Sequence, residues 1–416
     1  MLAAAAAVTA SAQTAGFEAA VNAFGNYDFD RAEELLDKYA SKRKRDQIAA
    51  DRMEDPYREG VTYDRVDDLR RRIDIGRNML ERVEKLEIID TLSVDRYDFF
   101  RHFRLDPSSG RLADALTIDG LPADVAETAL DPVYVTEDGA TMMWVSAEDD
   151  ENVPAGSFTM MEATRLADGS WETPRKLFGR GDVFADDTDG QLYSPYLMAD
   201  GVTLYFAADG PQSLGGLDIF IARREGSGEF LQPSNIGMPY NSPANDFMMA
   251  IDEATGAGWW ATDRNSDEEH VTIYIFKPSE LRVNFDNDTD GLAAYAMLTD
   301  FIRADQATRS AILEAIGSME KPVGKESAFH FAMPDGRVLT RIGDFHSTDG
   351  RELITDWLHK KQAIATDTQR LLALRSARRD GDRSSDSEIV DLERRIETDK
   401  AQLKRLANDI IRSENR

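Results

Sequence analysis

The stretch from 286 to 291 has the residue types and spacing to hold a metal ion. Asp286-Asn-Asp288-Thr-Asp290-Gly291 sets three carboxylates at alternate positions ahead of a glycine. That is how a calcium loop opens, because Ca²⁺ takes several hard oxygens from one tight turn. The twelfth position of such a loop carries a bidentate glutamate, and here it is Met297. Asp286, Asp288 and Asp290 are therefore the candidate metal ligands and calcium the candidate ion. A polar loop between domains is the competing reading.

The other chemistry-bearing residues do not converge. His102, His270, His330, His346 and His359 are scattered along the chain, and no second histidine stands near any of them. His102 lies in an aromatic run with Phe99, Phe100 and Phe103, which marks a core or surface residue rather than a ligand. With no cysteine there is no thiol nucleophile, disulfide framework or thiolate metal site. The zincin, phosphate-loop and dinucleotide signatures are missing. The 77 acidic residues could include a glycosidase pair, but no spacing singles out two of them. No catalytic residue is assigned, and the expected protein is not an enzyme; a hydrolase remains an alternative.

The framework that would carry any site is β-rich and repeated. Residues 194–243 read as short strands, YLM, TLYFA and DIFIA, separated by Asp-Gly and Gly-Gly turns. Aromatic and β-branched runs bounded by such turns signal hairpins. Similar units stand upstream from 131 and downstream to 278, with turn glycines Gly139, Gly201 and Gly256 recurring. Gly169-Ser-Trp171-Glu-Thr-Pro174 and Gly228-Glu-Phe230-Leu-Gln-Pro233 are in register. A small sheet repeated at about 40 to 60 residues points to propeller blades. The expected fold is mainly β with helical ends: a β-propeller of about four to five blades, three of them visible. An ordinary β-sandwich is the alternative. Residues 87–94 and 329–342 are candidates for the remaining strands, and pairing strands from both ends would lock the ring. Leu204, Phe206, Ile219, Phe220 and Trp260 are expected among the blade-packing residues.

The run SPYLMADGVTLYFAADG, followed by GGLDIFIARRE and the closing NIGMPYNSP, resembles the TolB-type propeller repeats of Bacteroidota cell-envelope proteins. The resemblance covers residues 131–278. Some proteins of that kind place the propeller between a tetratricopeptide helix pair and an OmpA-like peptidoglycan-binding domain. No such wall-binding domain is recognisable here, so wall anchoring does not carry over. What the resemblance implies is a fold and a compartment rather than a reaction.

The net charge of −28 is concentrated in the β region. Residues 91–290 hold 13 basic and 37 acidic residues, against 15 and 19 in 13–90 and 21 of each in 291–416. This balance disfavours nucleic acid and anionic lipid as partners. Residues 1–12, ending Ala10-Ser11-Ala12, read as the remnant of a secretory signal peptide, which implies export. Gln13 follows, not the cysteine of a lipoprotein. No run is long and apolar enough to span a bilayer. The expected location is the periplasm or the outer-membrane periphery.

Residues 13–86 read as helical, with Asn26-Tyr27-x-Phe29-x-x-Ala32 resembling the centre of one tetratricopeptide repeat. Asp28 or Asp30 can cap its second helix. A helical cap on the propeller is the expected role. Residues 87–345 are the propeller region, with a helical insert near 291–318. Residues 346–416 form an antiparallel helical hairpin with a coiled-coil seam. Asp399 occupies a core-type position in that seam, so it should meet a basic residue of the first helix or mark where another chain docks. The expected function is a non-catalytic envelope scaffold or protein-interaction module with an unidentified protein partner. The alternative is a propeller that binds glycan, peptide or peptidoglycan fragments.

Overall fold

The turn glycines of the repeat and the polar residues beside them set the path of the chain through its sheets. The computed structural model describes residues 15–54, 62–96, 99–122, 125, 129–147, 158–179, 191–267, 269–279, 281–319, 331–333, 338–339, 341–379 and 386–414. These fall into two compact units, one within Val8–Gly324 and the other within Lys325–Arg416. The secretory-signal region at 1–12 lies outside the described residues.

The first unit opens with α1 (Ala15–Gly25) and α2 (Phe29–Ala40). Asp28 caps α2 by accepting the Arg31 N–H at 3.2 Å, as a short carboxylate at an N-cap does. Next come α3 (Arg45–Ala50), the hairpin of β1 (Arg52–Glu54) and β2 (Thr62–Asp64), and α4 (Arg65–Leu80). Phe17, Phe24, Tyr27, Phe29, Leu36, Leu69 and Ile73 share one core with Leu214 and Met238 from loops of the β region. The helices are thus packed on loops of the β region within one unit. Gly76 of α4 faces Phe29, and a Cβ there would overlap the ring.

The strands follow in chain order: β3 (Glu87–Asp95), β4 (Arg111–Ala113), β5 (Ala129–Val135), β6 (Thr141–Ala147), β7 (Phe158–Thr164) and β8 (Arg175–Gly179). Then come β9 (Leu192–Leu197), β10 (Thr203–Ala208), β11 (Asp218–Arg223), β12 (Ser234–Asn235), β13 (Asp246–Asp252), β14 (Ala257–Thr262) and β15 (His270–Lys277). β4 to β8 form a first antiparallel sheet in sequence order and β9 to β12 a second. β13, β14 and β15 begin a third sheet, which β3 completes by pairing antiparallel with β15 from His270–Asp95 to Lys277–Glu87. The chain leaves through α5 (Leu292–Met297), β16 (Ile302–Arg303) and α6 (Gln306–Ser318). β16 lies parallel to β3 at the sheet edge.

The sequence repeat is a repeat of turns. Gly139, Gly201 and Gly256 have φ of 67°, 67° and 70°, a region that glycine enters without steric cost. The preceding Asp138 and Asp200 each accept the N–H two residues on, from Ala140 at 2.9 Å and Val202 at 2.8 Å. At the outer turns, Arg165 bridges to Trp171 and Arg224 to Phe230. Each guanidinium lies over its ring, 5.9 and 4.8 Å from the centroid.

Both faces of the second sheet carry buried side chains, with Tyr205 and Ile221 only partly covered, which is why TLYFAA and DIFIA run apolar without strict alternation. Phe206 meets Phe220 at 6.1 Å and Phe178 of β8 at 5.3 Å on the side of the first sheet. Ile219 packs with Met249, Trp260 and Phe276 on the side of the third. Leu204, Phe206, Ile219, Phe220 and Trp260 are all fully buried, as expected of packing residues.

Asp218 sits at the start of β11, fully buried, and accepts Leu214 N at 2.9 Å, Gly215 N at 3.2 Å and Asn235 Nδ2 at 2.7 Å. Burial pushes its carboxyl up to about 7; the N–H donors act the other way. An unfolded aspartate titrates near ~3.9. The folded chain therefore keeps a proton that the unfolded chain releases, and stability falls as pH rises between those values. Urea unfolding at pH 5 and pH 8 should show wild type losing stability, with the loss levelling off above about pH 7. Asp218→Asn should lose less across the same interval. An equal loss in the variant would assign the pH dependence elsewhere.

The second unit contains β17 (Phe331–Ala332), β18 (Val338–Leu339), α7 (Thr348–Arg379) and α8 (Asp386–Glu414). Asp399 of α8 accepts Lys360 Nζ of α7 at 3.0 Å, so the carboxylate at the seam is paired within the hairpin. Glu414 accepts the N–H groups of His346 and Ser347 at 2.8 and 3.0 Å.

Two expectations change. The chain is mixed α/β rather than mainly β, with several antiparallel sheets between helical ends. A closed ring of four or five blades does not appear among the described residues. Among the described residues of 329–342, β17 and β18 pair only with each other and share a core with Phe345, Trp357 and Ile410 of the second unit. Their apolar side chains are buried by helices, so they do not need a place in a ring.

Candidate functional site

Between the second and third sheets the packing opens into a cleft of ≈ 1030 Å³. One wall carries Tyr205 and Ile221, which are register partners on β10 and β11 and so share a face. The other carries Met249 and Ile251 of β13 and Phe276 of β15. Phe276 lies over Gly258, where any Cβ would overlap its ring, so glycine there gives the ring its place.

The polar end is built by a strap of two short segments. Lys85 N–H donates to Val283 O at 2.8 Å and Phe285 N–H to Val83 O at 2.9 Å, with Glu84 bridged to Asn284 between them. Glu84 N–H donates to Met238 O at 3.1 Å, which ties the strap to the loop that carries Tyr240. The Glu84 side chain is 11% exposed. It accepts a hydrogen bond from the Tyr240 hydroxyl at 3.3 Å. Arg282 Nε lies 3.6 Å from the other carboxylate oxygen, beyond hydrogen-bond distance. Its donors serve other oxygens: Ile236 O at 2.7 Å, Arg82 O at 3.0 Å and Asn284 Oδ1 at 3.1 Å.

Burial pushes the Glu84 carboxyl above its ordinary pKa, against the pull of Arg282 and Tyr240. Burial also raises the Tyr205 phenol, and Glu84 and Asp200 add to it. At the mouth, burial acts to raise Asp200, but its bonds from Thr203 and Val202 outweigh that and hold it low. Lys277 pairs with Glu87 at 3.0 Å. The cleft thus combines apolar and aromatic walls with a sheltered carboxylate and two phenols, which suits holding a ligand. Its lining contains no histidine.

The residues singled out by spacing lie elsewhere. Asp286, Asp288 and Asp290 are exposed in the turn leading to α5, where Thr289 N–H donates to Asp286 O at 2.9 Å. Among the described residues, no group of three or more histidines and carboxylates is placed to hold a metal ion. His270 bonds Asp267 at 2.8 Å, His102 ends a short helical turn, and His346 and His359 belong to the second unit. His330 lies outside the described residues. Sequence reading missed Glu84, Tyr205 and Arg282 as a group. Tyr240 stood in the quoted GMPYNSP segment but as fold architecture.

In comparisons with known proteins, no family model, curated protein or solved structure matches this chain. Among the described residues, no helix is long and apolar enough to cross a membrane.

Proposed function

We propose that the protein is a non-catalytic interaction module of the cell envelope, exported to the periplasm or the outer-membrane periphery. Its three sheets act as blades of the TolB-type propeller kind, and a segment of a protein partner seats in the cleft between the second and third. The cleft carries this reading: a large apolar-walled space with a few convergent polar groups and perturbed titration is where ligands bind. Val202, beside the cleft-lining Asp200 and Thr203, is 41% exposed, and Leu281, next to Arg282, is 76% exposed. The Asp399–Lys360 pair supports a self-contained C-terminal hairpin, which leaves the cleft as the better seat. Export is supported by the Ala-rich start and the resemblance of the repeats. The second reading, a module for peptide or glycan fragments, would use the same aromatic walls.

Filling the cleft tests the proposal. Ile221→Trp places an indole between the walls, while Leu166→Asp changes a residue of the first sheet's outer turn that is 43% exposed. Chemical crosslinking in native envelopes should capture a partner with wild type and Leu166→Asp, and lose it with Ile221→Trp. Retention by Ile221→Trp, with an unaltered melting profile, would place the binding surface elsewhere.

A further inference from the structure

Glu84 is short of donors. A carboxylate offers about four acceptor positions. Glu84 receives the Tyr240 hydroxyl at 3.3 Å, and Arg282 stands off at 3.6 Å with its Nε, Nη1 and Nη2 bonded to other oxygens. Tyr205 lines the same cleft. A sheltered carboxylate with unused acceptor positions is costly until a donor fills them, most of all a charged donor. The apolar walls at Ile221, Ile236, Met249 and Phe276 stand beside this group.

We infer that the cleft takes a partner segment bearing a lysine or arginine whose cation seats on Glu84, with an adjacent apolar side chain between Ile221 and Phe276. The inference rests on the cleft being the seat of the partner. The charge of the region fits it, because residues 91–290 hold 37 acidic against 13 basic residues and draw cationic segments in. The cations already at the cleft do not fill the place. Arg282 forms an ion pair with Glu84 but at 3.6 Å, with its nitrogens bonded to other oxygens. Lys277 is held on Glu87, and Arg223 sits opposite Thr203 at the mouth end of the sheet. The raised titration of Glu84 agrees, since a bound ammonium or guanidinium would restore its ionised form.

Fluorescence polarisation with the full chain tests this, using labelled capped peptides Gly-Leu-Lys-Leu-Gly and versions with arginine, norleucine or glutamate at the centre. Lysine and arginine peptides should bind about tenfold or more tighter than the norleucine peptide, and glutamate most weakly. Glu84→Gln should bind lysine and norleucine peptides alike. Equal affinity of lysine and norleucine peptides for wild type, or a persisting preference in Glu84→Gln, overturns the inference. So does failure of every peptide to bind. Ile221→Trp separates the two readings. If it abolishes binding of all peptides while charge makes no difference, the cleft stands and the cation preference falls. If it binds them as wild type does, the cleft itself is not the seat.

Discussion

Arg264→Leu should destabilise the first unit by about 3–5 kcal/mol, the cost of breaking a buried ion pair from one side. The Arg264 side chain is 5% exposed and Asp246 is wholly buried, with Nη2 donating to Oδ1 at 2.7 Å. The guanidinium also donates to Pro239 O at 2.9 Å, to Tyr240 O and, through Nε, to Thr262 Oγ1 at 3.2 Å. Asp246 takes Ser242 N and Oγ, each at 2.6 Å. Tyr27, from the turn between α1 and α2, is buried beside the same pair. One guanidinium therefore fastens the 237–246 loop to β14 under the N-terminal helices. Burial pushes the Asp246 carboxyl up even with Arg264 present. Without the cation that carboxylate would be stranded, so the double variant Arg264→Leu, Asp246→Leu should recover part of the loss. Urea unfolding of the four proteins in the cycle measures this. A single variant within about 1 kcal/mol of wild type would show that the pair is not what holds the loop.

What was legible in the sequence was local. The turn glycines could be read because a positive φ restricts the residue type, and their carboxylate neighbours take part in the same turns. The outer turns were readable because Trp171 and Phe230 each serve as the platform for an arginine six residues earlier. Asp399 could be read because a carboxylate in an apolar seam needs a cation, and Lys360 supplies it. The ring was over-read. FHFAMPDGRVLTRI has the pattern of a hairpin but says nothing of what will cover it, and here Trp357 and Ile410 of the helices do.

The cleft was not legible at all. Glu84 follows a helical pattern that had been extended to 86, yet α4 stops at Leu80 without a glycine or proline to mark the end. Its shelter comes from a strap whose other half lies at 282–285, and no local period encodes that contact. The reverse holds for Asp286, Asp288 and Asp290. Their spacing is suggestive, but Phe285, just before them, and Tyr295 stack at 4.4 Å and fix the segment while the aspartates stay in solvent.

Phe206→Ala is the complementary test, because it removes packing and no charge. The ring is fully buried in the middle sheet and meets Phe178 of the first sheet as well as Phe220 on the neighbouring strand. Truncation of a buried phenylalanine costs about 3–5 kcal/mol, through lost transfer energy and the cavity left behind. For a unit of this size each kcal/mol moves the melting temperature by roughly 2–4 °C. Calorimetry should therefore find a fall of roughly 6–20 °C. Leu231→Ala, at a side chain 50% exposed, should change stability by no more than about 0.5 kcal/mol. The location of the damage is the sharper readout. Phe206 faces β8, whereas Tyr205 and Ile221 face the cleft, so the variant should loosen the contact between the first and second sheets. Amide exchange should accelerate over Arg175–Gly179 more than over Ala257–Thr262. Peptide binding at the cleft should survive at temperatures where the variant is folded. An unchanged melt, or faster exchange confined to the third sheet, would mean that the faces of β10 have been assigned the wrong way round.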